Sequence, residues 1–534
     1  MPATPGHPRR WSILAVLVLS LIVVGLDTLI LNVALPTLQR DLGATGSDLQ
    51  WTVDSYALAF GGLLLLAGAL GDRFGRRRML TLGLVLFGGT SVAAALSTSI
   101  DALIAARVGM GVGAALIMPA TLSIIKTVFA PHEQARAIAI WAGGASIGIP
   151  LGPVVGGLLL EHSTWSSVFW INVPVVLVAL VAGLALVPES RDSSGARLDL
   201  LGAALSTAGL ATLVYALIEA PLHGWTSATT LISVAVSAAL LAAFWAWQQH
   251  TPSPLLPPSL VRQRAVGGSV VVIAVLAFAL YGVLFSLTQY LQFVLRYEPL
   301  EAGLRLLPVI TILAAAPVGV ALVRRIGFHR TASLGVAAVA VAAGLVASLD
   351  VDTPGQALLA VAALGVGLGF ALPPASDAIL AATPPDKAGV GSALTDAALQ
   401  VGGSLGVAVL GSVLVDQYRD AVAPGLTGLP EPAARAVTDS VAAAQPVSEQ
   451  LPAPAGDGLL DVVAQAFVDG QSAAMLVAVA VSVAGVLLAR AVLPRRVPAP
   501  APVGEVRPSA PLVGAAASST PRTPLHAPPS EGPS

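Results

Sequence analysis

Five ionisable side chains stand inside stretches that are otherwise apolar and long enough to cross a membrane: Asp27, Asp54, Arg107, Arg305 and Asp396. An ionised Asp or Arg at mid-membrane costs roughly 3 kcal/mol, so such a residue faces a partner or a water-filled path. One interpretation is a buried structural ion pair. The other is a protonatable carboxylate, since burial raises the pKa of a carboxyl group and a nearby arginine lowers it. The sequence does not indicate which acid pairs with Arg107.

The composition excludes a soluble protein. The chain has 534 residues, of which 55% are hydrophobic and only 10% are charged, whereas soluble proteins carry about 25% charged residues. The charges are clustered, and they leave many windows of about twenty residues, the length that crosses a hydrocarbon core of about 30 Å. The chain has no cysteine, which excludes disulfides and thiolate metal sites. These features predict an all-α polytopic membrane protein.

Charge-poor windows bounded by charged residues or by Pro and Gly predict about fourteen spans. All are predicted to be helices, because backbone polar groups in lipid must be satisfied within the segment. Their approximate cores are 12–34, 51–70, 79–98, 103–125, 137–160, 167–187, 200–219, 228–248, 268–290, 302–323, 331–349, 355–377, 390–414 and 472–493.

The basic residues alternate between loops and so predict the orientation. Arginines or lysines follow the even-numbered spans and precede the first, which places both termini in the cytoplasm by the positive-inside rule. Residues 416–471 then form a long outer loop, with a short surface helix near 432–444. Residues 495–534 are rich in Pro, Ala and Ser and are predicted to be a disordered cytoplasmic tail. The expected location is the cell membrane.

Two sequence motifs stand out beside the buried charges. A dense basic loop joins the second and third spans, and its acid has no role in orientation; its notable residues are Gly68, Asp72, Arg73, Gly75, Arg76 and Arg77. The fifth span carries glycines every four residues, which predicts a helix face that another helix approaches closely. Its prolines predict a bend, so this face is a packing surface, a moving interface, or both. The motif comprises Gly148, Gly152, Pro153, Gly156 and Gly157.

These motifs, in this order, resemble the major facilitator superfamily, and within it the fourteen-span drug:proton antiporters of the EmrB/QacA-like family. The resemblance covers about residues 11–495 and rests on four stretches. They are the basic loop 68–78, the first-span stretch 26–36, the fourth-span stretch 107–115 and the fifth-span stretch 148–157.

The resemblance implies a major facilitator fold that works by alternating access. Two six-helix bundles, 12–187 and 267–494, would flank two inserted helices within 188–266, with residues 1–11 as a cytoplasmic N-terminus. It also implies export driven by a proton gradient, without a cofactor. Asp27, Asp54, Arg107 and Asp396 would then line the proton-coupling or substrate cavity. The basic loop would form a cytoplasmic latch in which Asp72 pairs with the other bundle.

The chain also departs from the family pattern. Met110 stands where the fourth-span motif usually has Gln, and Ser166 and Ser167 replace the usual Arg-Trp. The tenth span carries Arg305 where some relatives carry an acid, which leaves Asp396 as the second acid on the C-terminal side. Aromatic residues around the ninth span suit packing or a membrane-interface belt better than a drug pocket; they are Tyr281, Phe285, Tyr290 and Phe293.

The function expected from these features is proton-coupled export of amphipathic drugs or antibiotics by a monomer in membrane lipid, with no nucleic-acid partner. One alternative is a metabolite transporter of the same fold. A polytopic membrane enzyme is a weaker alternative, because all seven histidines are scattered in predicted loops or tails. A transporter-like sensor is a further alternative that the sequence leaves open.

Overall fold

A computed structural model describes residues 7–191, 198–351, 354–383 and 388–495, and all regular structure in these ranges is helical. Long helices account for most of it, and shorter helical turns lie between them. In chain order, the long helices α1 to α14 are Arg10–Leu42, Gly46–Phe74, Arg76–Ala95, Ile100–Val128, Pro131–His162, Asn172–Leu186, Leu200–His223, Ala228–His250, Arg264–Gln289, Thr311–Ile326, Phe328–Ala347, Pro354–Ala382, Ala388–Val422 and Ala453–Val492.

Thirteen of the fourteen predicted spans each overlap one of these helices, and the tenth is divided among shorter helical elements that end in α10, which confirms an all-helical polytopic membrane protein. Thirteen segments of the described chain are long and apolar enough to cross a membrane. The remaining predicted span is α5, a continuous helix of 32 residues. Most of the predicted disordered tail lies outside the described residues.

Single glycines make two of the tightest connections. Gly75, with φ 115°, joins α2 to α3, and Gly327, with φ 89°, joins α10 to α11. These values lie in the region that favours glycine, because a Cβ atom there is strained. Both turns lie at the same end of the molecule, called here the basic end. The other end, where Gly43 and a capping box of Thr45 and Asp48 join α1 to α2, is the distal end.

The apolar core is divided between two halves of the chain. One cluster of buried side chains runs from Ile13 to Val187 and includes three residues from later in the chain. The other runs from Leu260 to Leu493 and includes one earlier residue, Leu29. The hydrogen bonds that join these two halves in the described part of the chain lie toward the distal end, from Gln292 to Val33 and from Ser412 to Gln50.

The hairpin of α7 and α8 lies against both halves. Ser412 of α13 donates to the Leu217 carbonyl of α7 at 2.6 Å. Residues of α2, α7 and α13 also share a small apolar cluster of Leu58, Val214, Ile218 and Ala408. The α7–α8 hairpin therefore covers the seam between α2 and α13, which belong to different halves.

The buried carboxylate of Asp199 holds α7 and α8 together. It accepts hydrogen bonds from the Gly202 backbone at 2.8 Å, from Trp247 Nε1 at 2.7 Å and from Gln248 Nε2 at 2.7 Å. Gln248 in turn accepts from the backbone of Leu256, which follows α8. One acid thus caps a helix and fixes its neighbour.

Replacement of Asp199 by Ala is expected to destabilise the protein by about 2–4 kcal/mol, because it leaves the buried amide of Gln248 without its acceptor and removes the N-terminal cap of α7. The loss is measured as a lower midpoint of thermal unfolding in detergent. The control is Asp101→Ala, which changes an exposed acid of the first turn of α4. Equal midpoints for Asp199→Ala and Asp101→Ala would contradict the structural role.

The predicted tenth span is interrupted. It comprises a short helix Pro299–Arg305, a 3-10 turn Leu307–Ile310 and then α10. Arg305 does not stand at mid-span, because it ends the short helix at the distal end, where it pairs with Glu301 at 2.9 Å and lies 4.5 Å from the Tyr297 ring. The prediction that Arg305 is a buried charge at mid-span is therefore wrong. Arg305 is a partly exposed residue at a helix end, and Glu301 compensates its charge.

The segment predicted as the outer loop, 416–471, is folded. Helix α13 extends to Val422 and α14 begins at Ala453, so both helices continue into this segment, where charged residues such as Asp461 are exposed. The predicted surface helix is present as Glu431–Asp439. Arg419 of α13 pairs with Asp439 at 2.7 Å and fixes this helix over the distal end.

Candidate functional site

Asp27 and Arg107 form an ion pair inside the N-terminal half. Nη1 of Arg107, on α4, lies 2.6 Å from Oδ2 of Asp27, on α1, and their side chains are 1% and 0% exposed. The Arg107 Nε also donates to the Thr52 carbonyl at 3.1 Å, and its guanidinium lies 4.3 Å from the Tyr56 ring centroid. The partner of Arg107, which the sequence left open, is therefore Asp27.

A polar chain that sequence reasoning missed completes this pair. Asn172 Nδ2, at the start of α6, donates to Asp27 Oδ1 at 3.1 Å and to Ser91 Oγ at 3.1 Å. Ser91 donates in turn to the Phe169 carbonyl at 2.8 Å. Each oxygen of Asp27 thus has a fixed donor. The available signal was an amide residue, Asn172, at the edge of an apolar span.

The glycine face of α5 positions α1 next to Asp27. A Cβ atom on Gly152 would lie 2.9 Å from the Leu26 carbonyl oxygen and from the Ile30 nitrogen, and Gly156 faces Ile30 as closely. Gly144 of α5 likewise contacts the side chain of Val18 on α1. The predicted close packing is present, and its partner is the helix that carries Asp27. The surroundings of Gly148 lie outside the described residues.

Gly157 faces the other half of the chain instead. A Cβ atom there would lie 2.6 Å from the Leu300 Cα, and one on Gly303 would lie 2.3 Å from the Pro153 carbonyl oxygen. Two glycines thus allow backbone to touch backbone between α5 and the helix Pro299–Arg305. The motif of α5 therefore serves two contacts, one within its half and one between halves.

Asp54, on α2, lies elsewhere, in the seam between α2 and α13. Asp54 is fully buried, Ser404 of α13 faces it, and neither of its carboxylate oxygens has a well-formed hydrogen bond in the described part of the chain. Gln400 packs on Gly61 of α2, and its side-chain oxygen is also unpaired within that part. Asp396 is half-buried and one turn before Gln400. Of the four predicted cavity residues, the structure therefore pairs Asp27 with Arg107, whereas Asp54 faces α13 and Asp396 lies on α13.

The basic loop is held by its own half. Asp72 pairs with Arg76 at 2.8 Å, and Arg76 also reaches the Ser123 carbonyl of α4 at 3.5 Å. Glu189, after α6, accepts from the Arg77 backbone at 3.2 Å and crowds Gly75, where a Cβ atom would lie 2.5 Å from its Oε1. Arg73 lies over the Phe74 ring at 5.4 Å, and Gly68 has ordinary space beside Pro119. Pairing of Asp72 with the other half stays a prediction.

Comparison with known proteins identifies the family. The sequence model described as Major Facilitator Superfamily matches residues 17–407. The chain belongs to the Major Facilitator Superfamily. Membership of this superfamily indicates a transporter and not an enzyme.

Similar curated proteins are resistance and efflux proteins of this superfamily. The chain is 34% identical to the tetracenomycin C resistance and export protein of Streptomyces glaucescens, over 91% of this chain and 92% of that protein. It is 35% identical to the multidrug efflux pump LfrA of Mycolicibacterium smegmatis, over 92% and 98%. The puromycin resistance protein pur8 of Streptomyces alboniger is 38% identical, over 76% and 82%.

Solved structures agree on the fold. A bacterial homologue of the human lysosomal transporter Spinster, in an inward-facing and unoccupied conformation, has a TM-score of 0.62 at 18% identity, covering 92% of this chain and 98% of that one. The D-xylose–proton symporter has a TM-score of 0.53 at 17% identity, over 76% and 90%. These similarities confirm the major facilitator fold.

In this superfamily member the aromatic residues around α9 divide by role. Tyr281 and Phe285 pack on the apolar core of the N-terminal half and so cross between halves. Tyr290 is buried, and its hydroxyl donates to the Asp350 carbonyl at 2.6 Å. Phe293 lines a cavity of about 450 Å³ at the distal end. Packing is the predominant role, as the sequence indicated.

Met110 is fully buried in the N-terminal core.

Proposed function

We propose that this protein exports amphipathic drugs or antibiotics, coupled to inward movement of protons and without a cofactor. The observation that carries the proposal is the buried pair of Asp27 and Arg107. The names of the similar proteins, among them an antibiotic export protein and a multidrug efflux pump, support the substrate class. The proposed location is the cell membrane, with both termini in the cytoplasm and the protein acting as a monomer.

The geometry of the pair supports proton coupling. Asp27 is held by Arg107 and Asn172, which come from helices other than its own. A shift of α1 relative to α4 would separate the carboxylate from the guanidinium and leave it free to take up a proton. Because the glycine face of α5 packs on α1 beside Asp27, movement of α5 would reach this pair through backbone contacts.

The seam supports a second protonation site. Burying a carboxylate charge without a partner costs far more than burying the neutral acid. Ser404 faces Asp54, but no cationic side chain forms an ion pair with it in the described residues, so a bound proton would remove this cost. Asp54 belongs to α2 and faces α13, which is part of the other half. Rocking of the two halves would therefore expose its carboxyl group. Asp396, on the same helix as Ser404, is the proposed second acid of the C-terminal half.

The proposal is tested by measuring drug-induced proton release from vesicles that contain the purified full-length protein. Cationic and neutral amphipathic drugs are expected to evoke proton movement in the wild type. Asp27→Asn is expected to abolish it, because a carboxamide neither releases nor takes up a proton near neutral pH, while drug binding measured by fluorescence is retained. Asp41→Asn, which changes an exposed acid on the same helix, is expected to leave proton release unchanged.

Two outcomes would contradict this mechanism. Proton release that persists in Asp27→Asn would remove Asp27 from the coupling. A drug panel that neither binds nor moves protons, together with vesicles that accumulate a small metabolite, would favour the alternative of a metabolite transporter with the same fold.

A further inference from the structure

A basic groove lies at the basic end of the C-terminal half, away from the acids described above. Helices α10 and α11 are joined there by Gly327 alone, and the Phe328 backbone donates to the Arg495 carbonyl at 2.9 Å, which docks the segment after α14 onto this turn. The resulting groove has a volume of about 550 Å³. It is lined by Ile326, His329, Arg330, Leu334 and Arg490.

The positive charge of the groove is uncompensated. Arg330, Arg490 and Arg495 all lie close enough to His329 to act on it electrostatically. Arg324 and Arg325 lie in the last turn of α10, immediately before the Gly327 connection. Within the described ranges, none of these residues forms an ion pair with an acid. Nδ1 of His329 is buried and also has no partner there.

The start of α11 adds to this imbalance. The N-terminus of a helix carries a partial positive charge, which favours acids and disfavours cations in the first turn. Helix α11 has no acid in its first turn and no side-chain cap, and it begins Phe328-His329-Arg330. Helix dipole and arginines therefore repel each other unless an anion lies between them. Topology explains why arginines lie at this end, but it does not explain their convergence on one groove.

An apolar face continues from the groove along the helices. On α11, Leu334 lies one turn from Arg330 and is 46% exposed. On α14, Leu487 lies one turn from Arg490 and is 64% exposed, and Val483 follows one turn further on. Helices α11 and α14 pack together, with Gly485 against Val336. Cationic side chains thus cap an exposed apolar surface that runs toward the membrane interior.

We propose that this groove binds an anionic phospholipid. The phosphate would lie between Arg330 and Arg490, and an acyl chain would lie along the apolar face of α11 and α14. Basic pockets between membrane helices are suited to such headgroups, because each basic residue near the membrane surface contributes attraction to anionic lipid. The proposal does not depend on the transported substrate or on proton coupling.

The test uses the purified full-length protein in a neutral detergent. It is titrated with phosphatidylglycerol and with phosphatidylcholine of the same acyl chains, and bound lipid is counted by native mass spectrometry. Phosphatidylglycerol is expected to bind saturably and more tightly than phosphatidylcholine. At about 1 kcal/mol for each basic residue, Arg330→Gln/Arg490→Gln is expected to weaken phosphatidylglycerol binding by roughly thirtyfold. The single variant Arg490→Gln should weaken it about fivefold.

A matched variant separates the groove from general positive charge. Arg262→Gln/Arg264→Gln removes two exposed arginines at the same end that do not line the groove, and it should bind phosphatidylglycerol as the wild type does. Equal affinity for the two lipids, or equal losses in both double variants, would overturn the proposal. Competition by inorganic phosphate at the same concentration as the lipid would also overturn it, since it would indicate a site for free phosphate.

Discussion

Replacement of Arg107 by Met is expected to destabilise the protein by about 3–5 kcal/mol, because it leaves the Asp27 carboxylate buried without its counter-charge. Asn172 remains as a donor to Asp27, but one amide does not replace an ion pair. Met has a suitable length to fill the space over the Tyr56 ring, so the loss is mainly electrostatic. The measurement is the midpoint of unfolding in detergent, together with drug transport in vesicles, which is expected to be lost.

The double variant Asp27→Asn/Arg107→Met provides the control. With both charges absent, no uncompensated charge is buried, and most of the lost stability is expected to return. Transport is expected to stay absent, since the proposed proton site is gone. A double-mutant cycle that also includes Asp27→Asn alone measures the coupling between the two residues. Additive losses in stability would show that the pair contributes no interaction energy and would contradict its structural importance.

The sequence was sufficient for the fold because the bilayer constrains the chain so strongly. Apolar windows predict helices in lipid without knowledge of their neighbours, and every predicted span except the interrupted tenth overlaps one long helix. The sequence predicted less well the segments near the membrane surface, where the bilayer no longer requires an apolar helix. The short helix Pro299–Arg305 and the outer turns of α14 carry charges, and these turns are stabilised by local pairs such as Glu301–Arg305.

The site was predictable as a set of residues but not as an arrangement. Burial of a charge is visible in a sequence, whereas its partner depends on which helix faces meet. Asp27 and Asp54 are both acids in neighbouring spans, yet one faces Arg107 in its own half and the other faces Ser404 in the opposite half. Asn172 was missed because a lone amide at a span edge resembles many capping residues.

The glycines of α5 illustrate the same limit. A four-residue repeat predicts one packing face, and Gly144, Gly152 and Gly156 do face α1. Gly157 belongs to the motif but lies outside that four-residue repeat. Its contact with Leu300 depends on the interrupted tenth span, which the apolar pattern did not reveal.

Replacement of Gly303 by Val is expected to open the distal end. A Cβ atom at this position would lie 2.3 Å from the Pro153 carbonyl oxygen, which is backbone and is unable to rotate away. Overpacking of this kind costs about 1–3 kcal/mol, and here the two halves relieve it by separating. The ratio of open to closed protein at this end is then expected to rise by roughly 5- to 150-fold.

The chain has no cysteine, so one engineered thiol reports this opening. Val33 is fully buried at the distal end and its carbonyl accepts from Gln292 of the other half. In a Val33→Cys background, Gly303→Val is expected to increase the rate of labelling by a membrane-impermeant maleimide. Gly355→Val is the matched control, because a Cβ atom on Gly355 meets nothing within 4 Å. Unchanged labelling in a folded Gly303→Val protein would show that this backbone contact does not hold the halves together. The closure would then rest on the seam of α2 and α13, where Gly46 meets Val415 and Gln50 meets Ser412.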